Sequence, residues 1–497
     1  MAKAQAPDKL SVIGLQKPVC LLSRCVKLTA IMENKMGGNA LNDLNPYLHG
    51  LYAPVKEEAS ADNLPVIGEI PRELHGACFR NGPNPAAAPK GMHHWFDGDG
   101  MIHGLWFENG KARYRNRYVR TQDFELNGGS PLAGIFEPAR EAAGRKVNYR
   151  DTANTDVIVH NGKLLALWYI SGQPVAVDIG TLETIGVENF GGKLPRNISA
   201  HSKTDPETGE LVFFDYALYE PKMWTGTVSR DGALTQFQEI DLPGPRLPHD
   251  MGMTENYVIL HDLPVIFSEQ AIRNRMWHIH VADQPTRFGV VPRKGGDVKW
   301  FEFPTSYIYH VINAWEEGDD VVMAACKMVP NGFKPDPKYG PYAAMADVLA
   351  LRAQPFLWRM NMKTGEGREE QIDDALSEFP VVNNDYAGRK TRYSYHVVFD
   401  NCIEQRFSGL LKYDLVTGKS ERHDFPSGVY GSEPAFAARP GASEEDDGWL
   451  VTFTADMDGN SEAHVIDARN FSAPPVAKVK LPQRVPAGFH GIWAKGA

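Results

Sequence analysis

From residue 65 onward, short runs of β-favouring residues alternate with Asn-Gly and Asp-Gly dipeptides, and no other feature of the chain restricts its fold so tightly. Asn109-Gly110 precedes Lys111-Ala112-Arg113-Tyr114, Asn161-Gly162 precedes Lys163-Leu164-Leu165-Ala166-Leu167, and Asp231-Gly232 precedes Ala233-Leu234. Asp97-Gly98 and Asp99-Gly100 add two further turn signals. Such dipeptides accept the positive φ of a type I′ turn, so each predicts a hairpin. Repeated along 497 residues that include 46 glycines and 35 prolines, they predict many short antiparallel strands and hence an all-β sandwich, barrel or propeller. No WD or kelch signature recurs, so periodicity alone leaves these three open. Length alone allows two or three domains, although closed all-β architectures often run long as one.

Within this β pattern lies Tyr307-Ile308-Tyr309-His310-Val311-Ile312-Asn313-Ala314-Trp315, an apolar run with a lone histidine inside it. A buried imidazole left without partners costs roughly 1–3 kcal/mol, so a metal or a hydrogen-bonding neighbour is expected beside His310. His201 in Ala200-His201-Ser202, His249 in Pro248-His249-Asp250 and His490 in Phe489-His490-Gly491 sit in similar settings. Their wide separation excludes a zinc finger or an HExxH site, whose ligands come from one short segment. Taken singly, each is better explained as a satisfied core or surface histidine. Brought together by converging strands, four imidazoles would suit iron, copper, nickel or zinc, with coordination positions left open.

Eight segments decide between these readings by resemblance. Phe79-Arg80-Asn81-Gly82-Pro83-Asn84-Pro85, Trp95-Phe96-Asp97-Gly98-Asp99-Gly100-Met101, Thr152-Ala153-Asn154-Thr155, Ala200-His201, Pro248-His249-Asp250, Tyr309-His310-Val311-Ile312-Asn313-Ala314, Ser432-Glu433-Pro434-Ala435-Phe436 and Phe489-His490-Gly491 follow one another in order. This ordered set resembles that of the carotenoid cleavage oxygenases. The resemblance implies a seven-bladed β-propeller over residues 39–497, with a helical or loop cap above an axial iron site. It also implies one Fe(II) per chain, held by His201, His249, His310 and His490, and cleavage of a conjugated C=C bond by O2 into two carbonyl products.

The same resemblance assigns supporting roles. Glu378 and Glu433 match two of three glutamates that hold the ligand histidines from behind, and are expected to support His310 and His490. The third glutamate is absent: Leu165-Ala166-Leu167-Trp168 is followed by Tyr169, which leaves Tyr169, Asp250 or a water as the partner of His249. Thr155 corresponds to a residue beside the iron that restricts one open position; its plain alternative is a buried strand threonine. Phe96, Trp168 and Phe489 are expected to line a substrate tunnel, or else to be core aromatics. Stilbene-cleaving relatives anchor a phenol with a lysine and a tyrosine; here those positions read Trp168 or Tyr169, and Phe136. The resemblance therefore favours a lipophilic carotenoid or apocarotenoid, with a stilbene or phenylpropene as the alternative. A polyene-binding or isomerising propeller is the remaining reading.

Composition narrows the partners. A formal charge of −10 argues against nucleic acid, since phosphate contacts require a basic face. Five scattered cysteines without a CxxC pair suggest a reducing compartment, and the chain reads as cytoplasmic. Residues 1–38 read as a disordered extension, because the run Val19-Cys20-Leu21-Leu22 is too short for a signal sequence. Two apolar stretches break the strand pattern, residues 264–276 and 339–358, the second containing a helix-like run from Tyr342 to Leu351. They read either as buried packing elements or as a lip that meets a membrane surface.

Overall fold

Asn109-Gly110 has φ of 51° and 75° and Asn161-Gly162 has φ of 49° and 70°, the left-handed backbone that type I′ turns require. The first joins strands Gly100–Glu108 and Lys111–Tyr118, the second joins Asp156–His160 and Lys163–Leu167, each where the dipeptide predicts a hairpin. Gly232, at φ 87°, serves the hairpin between Lys222–Val228 and Leu234–Asp241. Asp97-Gly98 is different. Asp97 closes a 3-10 turn, Trp95–Asp97, and accepts the backbone N–H of His94 at 2.8 Å. Gly98 is required there by close approach, since a Cβ would stand 2.6 Å from the Asn84 nitrogen.

The computed structural model describes residues 43–89, 93–127, 151–170, 172–218, 220–267, 279–281, 283–329, 337, 352–400 and 404–497. Their strands form seven sheets of four to six strands, the blades of a β-propeller, together with one two-stranded ribbon. Numbered from the N-terminal side, blade 2 runs from Asp156–His160 to Thr184–Val187 and blade 3 from Lys203–Thr204 to Leu234–Asp241. Blade 4 comprises Gly252–Met253, Tyr257–Asp262, Thr286–Pro292 and Lys299–Phe303. Blade 5 runs from Ile308–Glu317 to Gly367–Gln371 and blade 6 from Ser377–Val381 to Lys419–Asp424.

Blades 1 and 7 close the ring with strands from both ends of the chain. In blade 1 the final strand Gly491–Lys495 pairs antiparallel with Gly76–Pro83. In blade 7 the early strand Val66–Gly68 pairs with Ala477–Lys480. Pairing first with last fastens the two ends of the chain together and closes the ring of blades, each of which keeps only short edges. The apolar cores lie between neighbouring blades. Phe79 and Trp106 of blade 1 meet Val157 and Leu164 of blade 2, and Phe288 of blade 4 meets Trp358 of blade 5. Burying one such large side chain stabilises the fold by about 1.5–3 kcal/mol.

Of the stretch 264–276, the described part contributes Val265–Phe267, which pairs with Ile279–Val281 as the two-stranded ribbon outside the blades. Of 339–358, residues 353–358 belong to Ala353–Asn361, a regular strand of blade 5 rather than part of a lip. The helix-like run Tyr342 to Leu351 and the extension 1–38 lie outside the described residues. Among those described, one short α-helix occurs, Gln122–Asn127, and no helix is long and apolar enough to cross a membrane.

Candidate metal centre on the propeller axis

Each of the four histidines stands at or beside the innermost strand of a different blade. His201 precedes Lys203–Thr204, His249 precedes Gly252–Met253, His310 lies in Ile308–Glu317, and His490 precedes Gly491–Lys495. Propeller geometry directs these strands at one axis, which is how residues nearly 300 positions apart become neighbours. The four rings offer one nitrogen each within 4.8 Å of one another. All four residues are buried, with exposures between 4% and 7%.

Two observations test whether a metal suits this cluster. The Nε2 atoms of His201 and His310 are buried without a hydrogen-bond partner, an arrangement that a cation accepting their lone pairs would relieve. Burial pushes the His201, His249 and His310 imidazoles well below their ordinary pKa, with repulsion from the neighbouring imidazoles adding to it. Neutral imidazole is the form that ligates metal. The donor set fits a nitrogen-preferring divalent ion.

Four carboxylates surround the cluster and tie the histidine-bearing segments across blade boundaries. Glu378 of blade 6 accepts from His310 Nδ1 of blade 5, and from the N–H of Phe379 at 2.5 Å. Glu433 of blade 7 accepts from His490 Nδ1 at 2.9 Å and from the N–H of Gly491 at 2.6 Å. With the carboxylates ionised, both contacts place the proton of the ring on Nδ1 and leave Nε2 free for the axis. Asp156 of blade 2 accepts the backbone N–H of His201 at 3.0 Å, and His201 has φ 65°. Asp250 accepts from Lys203 Nζ at 2.8 Å, from the Met251 N–H at 2.6 Å and from the Val311 N–H at 2.7 Å.

The buried carboxyls are themselves perturbed. Burial raises Glu378 to about 8, against the opposing pull of the Phe379 N–H. Burial also raises Glu433. Burial alone would depress His490, yet the adjoining Glu433 carboxylate prevails and raises it. A bound cation would favour the ionised carboxylates and the neutral rings together.

A narrow cavity meets the cluster, lined by Phe96, Thr155, Tyr169, Tyr309, Phe379 and Phe489 with the rings of His249, His310 and His490. Its free volume of about 20 Å³ matches one molecule the size of water or dioxygen. The Thr155 hydroxyl is already engaged, donating to Asn154 Oδ1 at 3.1 Å and accepting from the Tyr169 N–H at 3.3 Å. Phe96 packs edge-on against Tyr169 and Phe489, with centroids 5.7 and 5.2 Å apart. Trp168 is fully buried and is not among the lining side chains. Phe136 lies outside the described residues.

Tyr169 packs its ring on His249 at a centroid distance of 5.6 Å, and no hydrogen bond joins the two side chains. Tyr309 flanks the same imidazole from another side at 4.9 Å. Sequence reasoning missed four residues here: Tyr309 and Phe379 as lining groups, Asp156 as the anchor of His201, and Asp250 as the tie between blades 3, 4 and 5. Tyr309 adjoins His310 and Asp250 adjoins His249, so adjacency was the available signal for those two. Asp156 adjoins Thr155 and Phe379 adjoins Glu378, so the same signal was present there without indicating either role.

Comparison with known proteins bears on this geometry. The family model described as retinal pigment epithelial membrane protein matches residues 52–495. A carotenoid 9,10(9′,10′)-cleavage dioxygenase of Crocus sativus is 37% identical over 490 residues, covering 90% of this chain and 88% of that protein. The crystal structure of a Pseudomonas brassicacearum lignostilbene dioxygenase superposes with a TM-score of 0.82 at 30% identity, covering 91% of this chain and 99% of the other. A Synechocystis apocarotenoid oxygenase variant superposes with a TM-score of 0.78 at 26% identity, covering 89% and 97%.

Proposed function

This chain belongs to the carotenoid cleavage oxygenase family, and on that premise we propose that it is an iron dioxygenase cleaving a conjugated C=C bond of a carotenoid or apocarotenoid into two carbonyl products. The observation that carries the reading is the convergence of four buried imidazoles, three of which line an apolar cavity. In this proposal His201, His249, His310 and His490 hold one Fe(II), which when bound supplies the activation of O2. Glu378 and Glu433 keep the His310 and His490 tautomers with Nε2 free for the metal. Thr155 narrows the approach to the axis, its hydroxyl satisfied within the protein. Phe96 and Phe489 exclude water and hold the flat polyene against the reacting face.

An apolar polyene is supported by the phenylalanines of the lining, in which no lysine or arginine appears among the described residues. The alternative, a stilbene or phenylpropene, is supported by the hydroxyls of Tyr169 and Tyr309, which could receive a substrate phenol. Incubation of iron-loaded protein with a coloured apocarotenal tests the central reading. Loss of the long-wavelength absorbance only when O2 is present, with two carbonyl fragments by mass spectrometry, supports it. An O2-independent spectral change at unaltered substrate mass would instead identify an isomerase.

A further inference from the structure

The four histidines are not equally held. Both His310 and His490 give their Nδ1 proton to a buried carboxylate, from Glu378 and Glu433. His201 is fixed through its main chain, where Asp156 accepts its N–H at 3.0 Å and Lys203 Nζ donates to its carbonyl at 3.1 Å. Neither ring nitrogen of His249 has a hydrogen-bond partner among the described residues; its ring is flanked by those of Tyr169 and Tyr309. The nearest acid in sequence, Asp250, is committed to Lys203, Met251 and Val311.

We infer that His249 is the weakly held ligand of this site, and that Tyr169 occupies the place from which a carboxylate would fix it. The inference rests on the metal-binding reading above. An imidazole that gives its distal proton to a carboxylate is more basic and loses less rotational freedom on binding metal. Neither His201 nor His249 has that advantage, and His249 also lacks the main-chain anchors of His201. The site accordingly exchanges iron through His249.

The backbone at position 169 is well fixed. Its carbonyl accepts from the Tyr216 hydroxyl at 2.5 Å, and its N–H donates to Thr155 Oγ1 at 3.3 Å. A glutamate carboxylate stands about as far from its Cα as the centre of a tyrosine ring does, so a glutamate there has His249 within reach and occupies less volume. Next to a cation and an imidazole N–H, the added buried charge would be compensated. The Tyr169 hydroxyl has no partner among the described residues, so removing it should leave the metal untouched.

The test is a chelator challenge on the full chain loaded anaerobically with Fe(II), following iron release by the colour of the chelate. Tyr169→Glu is expected to slow release about ten-fold or more, within the 10–100-fold range typical of such outer partners. Tyr169→Phe, which preserves the packing, is expected to release iron within two-fold of wild type. Unchanged or faster release from a folded Tyr169→Glu protein would overturn the inference. Faster release from Tyr169→Phe would also overturn it, by showing that the phenol itself holds His249. Wild-type protein that takes up no Fe(II) would overturn the metal-binding reading and this inference with it.

Discussion

The Asp156 carboxylate receives the backbone N–H of His201 across a blade boundary at 3.0 Å, and His201 at φ 65° is in the left-handed region that residues other than glycine seldom occupy. Such a backbone costs about 1–2 kcal/mol and persists where surrounding contacts impose it. The strain coincides with the one histidine of the four whose main chain, rather than its ring, is anchored by a carboxylate. Replacing Asp156 by Ala should let His201 relax away from the axis. The expected outcome is a roughly ten-fold weaker hold on iron with the propeller still folded, read from chelator competition alongside circular dichroism. Wild-type iron retention in this variant would show that Asp156 does not position the ligand.

Glu378 and Glu433 should act through the metal rather than through the substrate. Glutamine at either position keeps the size while replacing a charged acceptor by a neutral one, so iron retention or turnover should fall on the order of 10–100-fold. KM for the polyene should change little. If both variants kept normal iron content and turnover, the supporting role of these carboxylates would have to be abandoned.

How far the sequence disclosed this arrangement depended on the kind of signal each residue leaves. Asn109-Gly110 and Asn161-Gly162 announced their hairpins because the backbone they adopt is one few other residues tolerate. Asp97-Gly98 looked the same in sequence, yet its glycine answers to the close approach of Asn84 rather than to a turn. Closure of the ring, with Gly491–Lys495 against Gly76–Pro83, joins segments too distant for any local pattern to show. The same holds for the meeting of His201 with His490. The roles of Asp156 and Phe379 were not legible, although they adjoin Thr155 and Glu378, because those roles depend on which blade lies next to theirs.

Buried histidines set the acid limit of stability. Burial lowers His93, His94, His261 and His396 to about 3. Their folded-state values lie below the ordinary 6.5, so below pH 6.5 the unfolded chain binds protons that the folded chain refuses. Stability is therefore full above that pH and falls as the medium becomes more acid, by up to about 1.4 kcal/mol per histidine for each unit. Thermal melting of the metal-free protein should shift downward steadily from pH 7 to pH 5. A melting temperature independent of pH over that range would contradict the burial of these rings as neutral groups.

Substrate preference follows from what the cavity lacks. A phenol enclosed without a partner costs roughly 1–3 kcal/mol, equivalent to about a ten- to hundred-fold loss in rate. Trp168 is buried and does not line the cavity, and Tyr169 and Tyr309 offer neutral hydroxyls rather than a cation. An apocarotenal is therefore expected to have the higher kcat/KM in side-by-side kinetics with a 4-hydroxystilbene. Faster cleavage of the stilbene would assign Tyr169 and Tyr309 to phenol binding and reverse the preference.

The central claim is that one iron is held jointly by His201, His249, His310 and His490, whose ligand atoms lie within 4.8 Å of one another. Elemental analysis of the purified wild-type protein and of the four single His→Ala variants tests it most directly. The account predicts about one iron per wild-type chain and strong depletion in every variant, each still folded. Full iron occupancy in two or more of the single variants would contradict it.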